Sequence, residues 1–238
     1  MSSFNESDLY APLKAFFESR GYLVKGEVNK CDMALIKGNE LLIVELKKNF
    51  NMSLIYQALD RQRIAHGVYV ALPLKAFMRK KRHILNILEK LNMGLVTVAM
   101  DSELKACHVH IMPNMAKKRD NKKSRALINE FNNRNFDNTG GAVRQKLMTA
   151  HREKSICIAL ALSGLASATA PILIKEHNCP KSTGLILSRN TYGWFERKEK
   201  GVYALSKEGK EAIANPDYKE ILMHYAEIIK AKVKEGGN

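Results

Sequence analysis

An α/β layered domain followed by a smaller, mostly helical domain is the fold class predicted by this 238-residue chain. Three observations carry the prediction. Apolar strand-like runs alternate with helix-length segments as far as Pro113, the pattern of a sheet layered with helices. A basic and then Asn- and Gly-rich stretch interrupts that alternation between Met115 and Gly141. Beyond it, helical segments precede one short hairpin. The expected organisation is a first domain at 1–114, a connector at 115–141 and a second domain at 142–238.

In order, Ser7–Arg20 reads as a helix, with Leu9, Leu13, Phe16 and Phe17 at apolar three-to-four spacing and Gly21 as its stop. Tyr22–Val28, Cys31–Ile36 and Glu40–Leu46 read as strands. Leu54–Ala65 is an expected helix, Val68–Leu72 a short buried strand, and Leu74–Leu91 a second long helix. Leu95–Met100 and Cys107–Met112 complete the strands. A helix is also expected within the connector, over Ser124–Phe131. Val143–Ser163 follows as one or two helices, then Ala166–Glu176 and Lys181–Arg189. Tyr192–Phe195 and Gly201–Leu205 are expected to pair as a hairpin around charged Glu196–Lys200, before a helix over Ser206–Ala214. Three helices and a charged hairpin predict a winged helix-turn-helix domain, with Lys181–Arg189 as its recognition helix.

Composition narrows the partners. Lys and Arg number 39 against 24 acidic residues, a net charge of +15 that favours a polyanion. Cys31, Cys107, Cys157 and Cys179 are widely spaced and form no zinc pattern, which predicts reduced thiols and a cytoplasmic protein. The polar start MSSFNESD does not read as a signal peptide. Ile156–Ile174 is uncharged and long enough to span a bilayer, but Ser163, Gly164, Ser167, Thr169 and Pro171 dilute it. Buried helices are expected there, and no membrane.

Chemistry concentrates in one segment. Gly38-Asn39 between two apolar runs marks a two-residue hairpin turn. With those residues as the turn, Lys37 pairs with Glu40 and Asp32 falls opposite Glu45. Directly opposed side chains share a face at about 5 Å between Cβ atoms, and Lys47, two residues on, projects from the same face. Both strands are apolar on both faces, so the hairpin is an internal sheet element. Two opposed carboxylates there need a cation, a shared proton or basic neighbours. A hard divalent ion with oxygen ligands, Mg²⁺ or Mn²⁺, meets the need. The [DE]-x-K pattern recurs at Glu103, Asp120, Glu196, Glu208 and Asp217, but only Glu45 lies in an apolar strand with a carboxylate placed opposite it. His108 and His110 share a strand face without a third ligand.

Asp32, Glu45-x-Lys47 and the stretch ESDLYAPLKAFFESRGYLVKGEVNKCDMALIKGN with VELKKNF and YQALDRQRIAHGVYVALP together resemble the PD-(D/E)XK nuclease superfamily, and within it a bacterial family of predicted phosphodiesterases. Cys31 stands where the motif has proline. The Asp32-x12-Glu45 spacing is like that of the Holliday-junction resolvase branch. The resemblance covers roughly residues 5–112. It implies a restriction-endonuclease-like core, metal held by Asp32, Glu45 and Glu6, and catalysis by Asp32, Glu45 and Lys47. It further implies that Gln57 and Arg61, four apart on the following helix, reach the site. Glu27 is a weaker alternative to Glu6. The implied reaction is hydrolysis of a DNA phosphodiester. A non-catalytic nucleic-acid-binding regulator on the same scaffold is the alternative.

The expected phosphate-tracking surfaces are Arg79, Lys80, Lys81 and Arg82, then Lys117, Lys118, Arg119, Lys122, Lys123 and Arg125. In the second domain they are Lys181, Arg189, Lys198 and Lys200. A homodimer is compatible with the sequence, which does not decide oligomeric state.

Overall fold

The computed structural model describes residues 4–115, 120–140 and 148–235. Lys117, Lys118 and Arg119 lie outside the described residues. The chain divides into two compact units at the 147/148 boundary.

The first unit is built on a six-stranded sheet in sequential order: β1 (Leu23–Val28), β2 (Cys31–Lys37), β3 (Glu40–Leu46), β4 (Gly67–Pro73), β5 (Gly94–Val98) and β6 (Cys107–Ile111). β1, β2 and β3 run antiparallel, β3 to β5 are parallel, and β6 returns antiparallel. Parallel neighbours require crossovers, here α2 (Met52–Gln62) and the pair α3 (Leu74–Met78) and α4 (Lys81–Lys90). Both crossovers pack on one face, where Leu54, Ala58, Phe77, Ile84 and Leu88 meet Ala34, Ile43, Val70 and Leu95. A short 3-10 turn (Glu6–Leu9) and α1 (Tyr10–Glu18) cover the other face. There Leu9, Leu13 and Phe17 bury against Met33, Leu35, Val44 and Val96. β3 and β4 are therefore covered on both sides, which is why they read as unbroken apolar runs. Leu13 is wholly buried, so Leu13→Ala would cost about 2–5 kcal/mol.

Two expectations are corrected here. The single helix over Leu74–Leu91 is two helices, because Lys80 leaves helical geometry (φ −135°, ψ 28°). A continuous helix would place Arg79 one turn from both Lys75 and Arg82 with no acidic residue to offset the repulsion. Secondly, residues 120–140, expected as connector, pack on the first unit. The helix within them, α5 (Asn121–Asn133), is longer than Ser124–Phe131 because Asp120 caps it, accepting the Lys122 and Lys123 amides at 3.1 Å each. Leu127 and Phe131 of α5 enter the same apolar cluster as α2 and α4.

The second unit runs α6 (Ala150–Ser163), β7 (Ala168–Thr169), α7 (Ala170–Glu176), α8 (Thr183–Arg189), β8 (Phe195–Glu199), β9 (Val202–Leu205), α9 (Lys207–Ile213), a 3-10 turn (Pro216–Tyr218) and α10 (Lys219–Glu235). Its antiparallel sheet has the order β7-β9-β8. The charged residues Glu196–Glu199, expected as a loop, are the body of β8, and only Lys200-Gly201 turns. As an outer strand, β8 buries Phe195 and leaves the following four residues to solvent. Asn190 adopts the left-handed conformation after α8, and its side chain brackets Phe195 through both backbone groups (2.7 and 3.1 Å). Trp194 is core rather than surface. α10 was not anticipated; Ile221 and Tyr225 bury its inner face. The uncharged run Ile156–Ile174 is split between α6, β7 and α7. No helix among the described residues is long and apolar enough to cross a membrane.

Candidate active site

The β2–β3 register follows from its turn. Gly38, at φ +57°, and Asn39 connect Lys37 to Glu40, and the pairing continues to Met33 opposite Val44. The next positions are Asp32 and Glu45. There the ladder stops, and the Leu46 N–H is taken by Asp32 Oδ2 at 2.7 Å.

Glu45 sits on a central strand and is completely buried. Its Oε1 accepts from Arg61 Nε at 2.6 Å, while Arg61 Nη2 donates to the Lys30 carbonyl at 2.6 Å. Its Oε2 is buried and has no hydrogen-bond partner. Burial, and then the neighbouring Asp32 charge, push the Glu45 carboxyl up to about 8 despite the Arg61 bond. Burial also raises the Asp32 carboxyl, with the Leu46 N–H and Lys47 acting against it. Two carboxylates that each resist ionisation beside the other share protons unless a cation replaces them.

Lys47 Nζ lies 3.2 Å from Glu6 Oε2, and Glu6 Oε1 accepts the Lys48 amide at 3.4 Å. Glu6, expected as a metal ligand, is thus engaged with the lysine of the motif, while its charge still acts on Asp32. Gln57, one turn before Arg61 on α2, has a buried Oε1 without a partner. Among the described residues, no three His, Cys, Asp or Glu side chains gather so as to hold a metal ion by themselves. The donors that remain are two carboxylates and an amide. The Gln57 oxygen is an acceptor only, and the Glu45 oxygen becomes one when its proton is displaced, so this set fits a hard divalent cation that takes the proton's place rather than an anion.

The basic candidates stand elsewhere. Arg79, Lys80, Lys81 and Arg82 are exposed at the α3–α4 break, and Lys122, Lys123 and Arg125 are exposed on α5. In the second unit Lys181, Arg189, Lys198 and Lys200 are all exposed. Of the His108–His110 pair only His110 is half-buried, sharing a 2.8 Å hydrogen bond with Thr97 and lying tilted against the Phe77 ring, while His108 stays exposed.

Residues 96–212 match the family model described as "Putative PD-(D/E)XK phosphodiesterase (DUF2161)". This part of the chain, just under half of it, matches the family that the N-terminal motif resembles. The family match begins within β5 and ends in α9, so it lies C-terminal to Asp32, Glu45 and Lys47. A solved protein of unknown function from Silicibacter pomeroyi is 12% identical, with a TM-score of 0.39 over 54% of this chain and 84% of its own. No curated protein matches.

Sequence reasoning missed the set Tyr10, Lys25, Gly26, Arg134, Asp137 and Gly140, which meets directly beside the Asp32 strand. Nothing local signals it, since its contacts span 106–127 residues of chain.

Proposed function

We propose that the first unit is a Mg²⁺- or Mn²⁺-dependent phosphodiesterase acting on nucleic acid, DNA foremost, in the cytoplasm. The observation that carries the reading is the buried, partnerless Glu45 Oε2 beside Asp32, with Lys47 two residues further on, just past the end of β3. Asp32, Glu45 and the Gln57 amide oxygen would hold the ion. Once bound, such an ion neutralises phosphate charge and lowers the pKa of a bound water. Arg61 keeps Glu45 in one rotamer. Glu6 holds the Lys47 ammonium, which orients the attacking water and stabilises charge on the phosphate oxygens.

The second unit is proposed as a winged helix. Its element order and its β7-β9-β8 sheet support this, with α8 presenting Gly184, Leu185, Ser188 and Arg189 outward and the β8–β9 hairpin as the wing. It would hold duplex DNA by its phosphates, as the basic residues of α4 and α5 would on the first unit by themselves.

Cleavage of linear, branched and single-stranded DNA with either metal tests the enzyme. Wild type should cut at least one substrate, and Lys47→Ala should bind it about equally but cut none. If wild type binds all three and cuts none with either metal, the chain is a non-catalytic regulator on a nuclease scaffold.

A further inference from the structure

The segment ahead of the second unit is stitched to the strands that carry Asp32. β1 is an edge strand, so its outward backbone groups have no ladder partner. At Gly26 and Glu27 those groups are met by side chains from residues 134–137. Arg134 donates to the Gly26 carbonyl at 2.6 Å and the Glu27 carbonyl at 3.3 Å. Asp137 Oδ1 accepts the Gly26 N–H at 2.8 Å. Asp137 Oδ2 accepts from Tyr10 at 2.6 Å and from Lys14. Lys25 closes the circuit by donating to the Phe131 and Arg134 carbonyls. Arg134 is 1% exposed, and burying a guanidinium is costly unless it is paired, which its two Nη groups are, through the Gly26 and Glu27 carbonyls and Asp137 Oδ1 at 3.6 Å.

The backbones are also in contact. A side chain at Gly140 would collide with the Asp32 carbonyl, and one at Gly26 with the Asn138 carbonyl and the Tyr10 ring. Glu27, between the Gly26–Met33 and Val28–Cys31 pairs and so level with Asp32, is held at φ +52°. A non-glycine residue in that conformation is strained and persists only when its surroundings fix it.

We propose that residues 134–140 form a strap that positions Asp32, with Arg134, Asp137 and Gly140 as positioning residues of the site. The strap holds the Asp32 backbone from behind while the Leu46 N–H holds its carboxylate in front. Loss of the strap lets Asp32 shift by the fraction of an ångström that a metal-binding carboxylate cannot tolerate. What that shift does to metal binding rests on the function proposed above. The position of Asp32 does not.

The Leu46 amide reads that position directly, because Asp32 Oδ2 is its acceptor. Hydrogen exchange at Leu46 should speed up at least about tenfold relative to the Ile43 amide of the same strand in Gly140→Ala and in Asp137→Asn. Asp32→Ala sets the full effect. A merely structural loss would speed both amides together. Mn²⁺ affinity should fall about tenfold in the same variants. If Gly140→Ala does not fold, Tyr10→Phe removes one strap hydrogen bond without changing packing and should still speed Leu46 selectively. Unchanged Leu46 exchange in the folded variants overturns the strap. Should wild type bind no Mn²⁺ or cut no DNA, the phosphodiesterase reading falls while Leu46 exchange still decides the strap.

Discussion

The β2–β3 and β8–β9 hairpins both close through two residues with a glycine in the left-handed region, Gly38-Asn39 and Lys200-Gly201 (φ +57° and +80°). Both contain Glu-x-Lys, at Glu45-Lys47 and at Glu196-Lys198. In the first, α2 and α1 cover opposite faces, Glu45 loses all contact with water, and its carboxyl is pushed up to about 8. In the second, Glu196 and Lys198 pair at 2.8 Å on an exposed strand, a contact worth about 0–1 kcal/mol. The same three-residue pattern is sealed inside the sheet in one place and solvated surface in the other. What separates them is burial, and burial comes from the helices that the rest of the chain supplies.

The largest expected effect breaks that symmetry. Glu45→Gln should lower kcat/KM for DNA cleavage with Mn²⁺ by about a thousandfold or more, since it removes a charge from a water-excluded site. Glu196→Gln should change it less than about twofold. Comparable losses in the two variants would mean that the buried pair is not the catalytic one.

How much of this could be read from the chain depends on distance along it. The Asp32–Glu45 juxtaposition was legible because a two-residue turn fixes register, and six residues of strand carry that register to the site. That Gln57 and Arg61 share one face of α2 was legible through helical spacing, while the Arg61 bond to Glu45 is visible only in the structure. Arg134, Asp137 and Gly140 were not. In sequence they sit among Asn and Gly residues and look like linker, and their meaning comes from Gly26, Tyr10 and Asp32 more than a hundred residues earlier. The break at Lys80 was hidden because apolar residues on both sides keep one helical phase. β8 was missed because an exposed edge strand shows no alternation.

Stability gives the next contrast. Arg61→Ala would leave Glu45 Oε1 buried without its donor, and should cost about 2–4 kcal/mol in urea unfolding. That lies at or below the usual cost of breaking a buried pair, because Glu45 can take a proton instead. Lys198→Ala, which breaks the exposed counterpart, should stay within about 0.5 kcal/mol. A small loss for Arg61→Ala would show that its guanidinium is no anchor for Glu45.

A pH series sharpens the same point. The Glu45 carboxyl moves from an ordinary 4.5 to about 8 on folding, so the folded protein binds this proton more tightly than the unfolded chain does. Metal-free stability should therefore decline as pH rises from about 4.5 to 8 on account of this group, and level off above. Glu45→Gln should flatten that part of the Tm profile. A divalent ion must displace the proton, so Mn²⁺ should raise Tm more at pH 8 than at pH 6. Equal Mn²⁺ shifts at both values would mean that Glu45 is already ionised.

The smallest effect belongs to the exposed hairpin, and it tests what surface charge is for. Lys198 and Lys200 are exposed at the tip of β8 and its turn, where a charge adds at most about 1 kcal/mol to stability. A wing that touches DNA uses such residues as phosphate contacts, each releasing about one counterion. Lys198→Ala with Lys200→Ala should thus leave Tm within about 1 °C and weaken DNA binding uniformly across sequences. The slope of log K against log salt should fall by about two. Lys198 already neutralises Glu196, so its single variant should move the slope less than that of Lys200. If the double variant leaves the slope unchanged while neutralising Lys122 and Lys123 on α5 lowers it, DNA meets the first unit alone, and the second unit's exposed hairpin serves another partner.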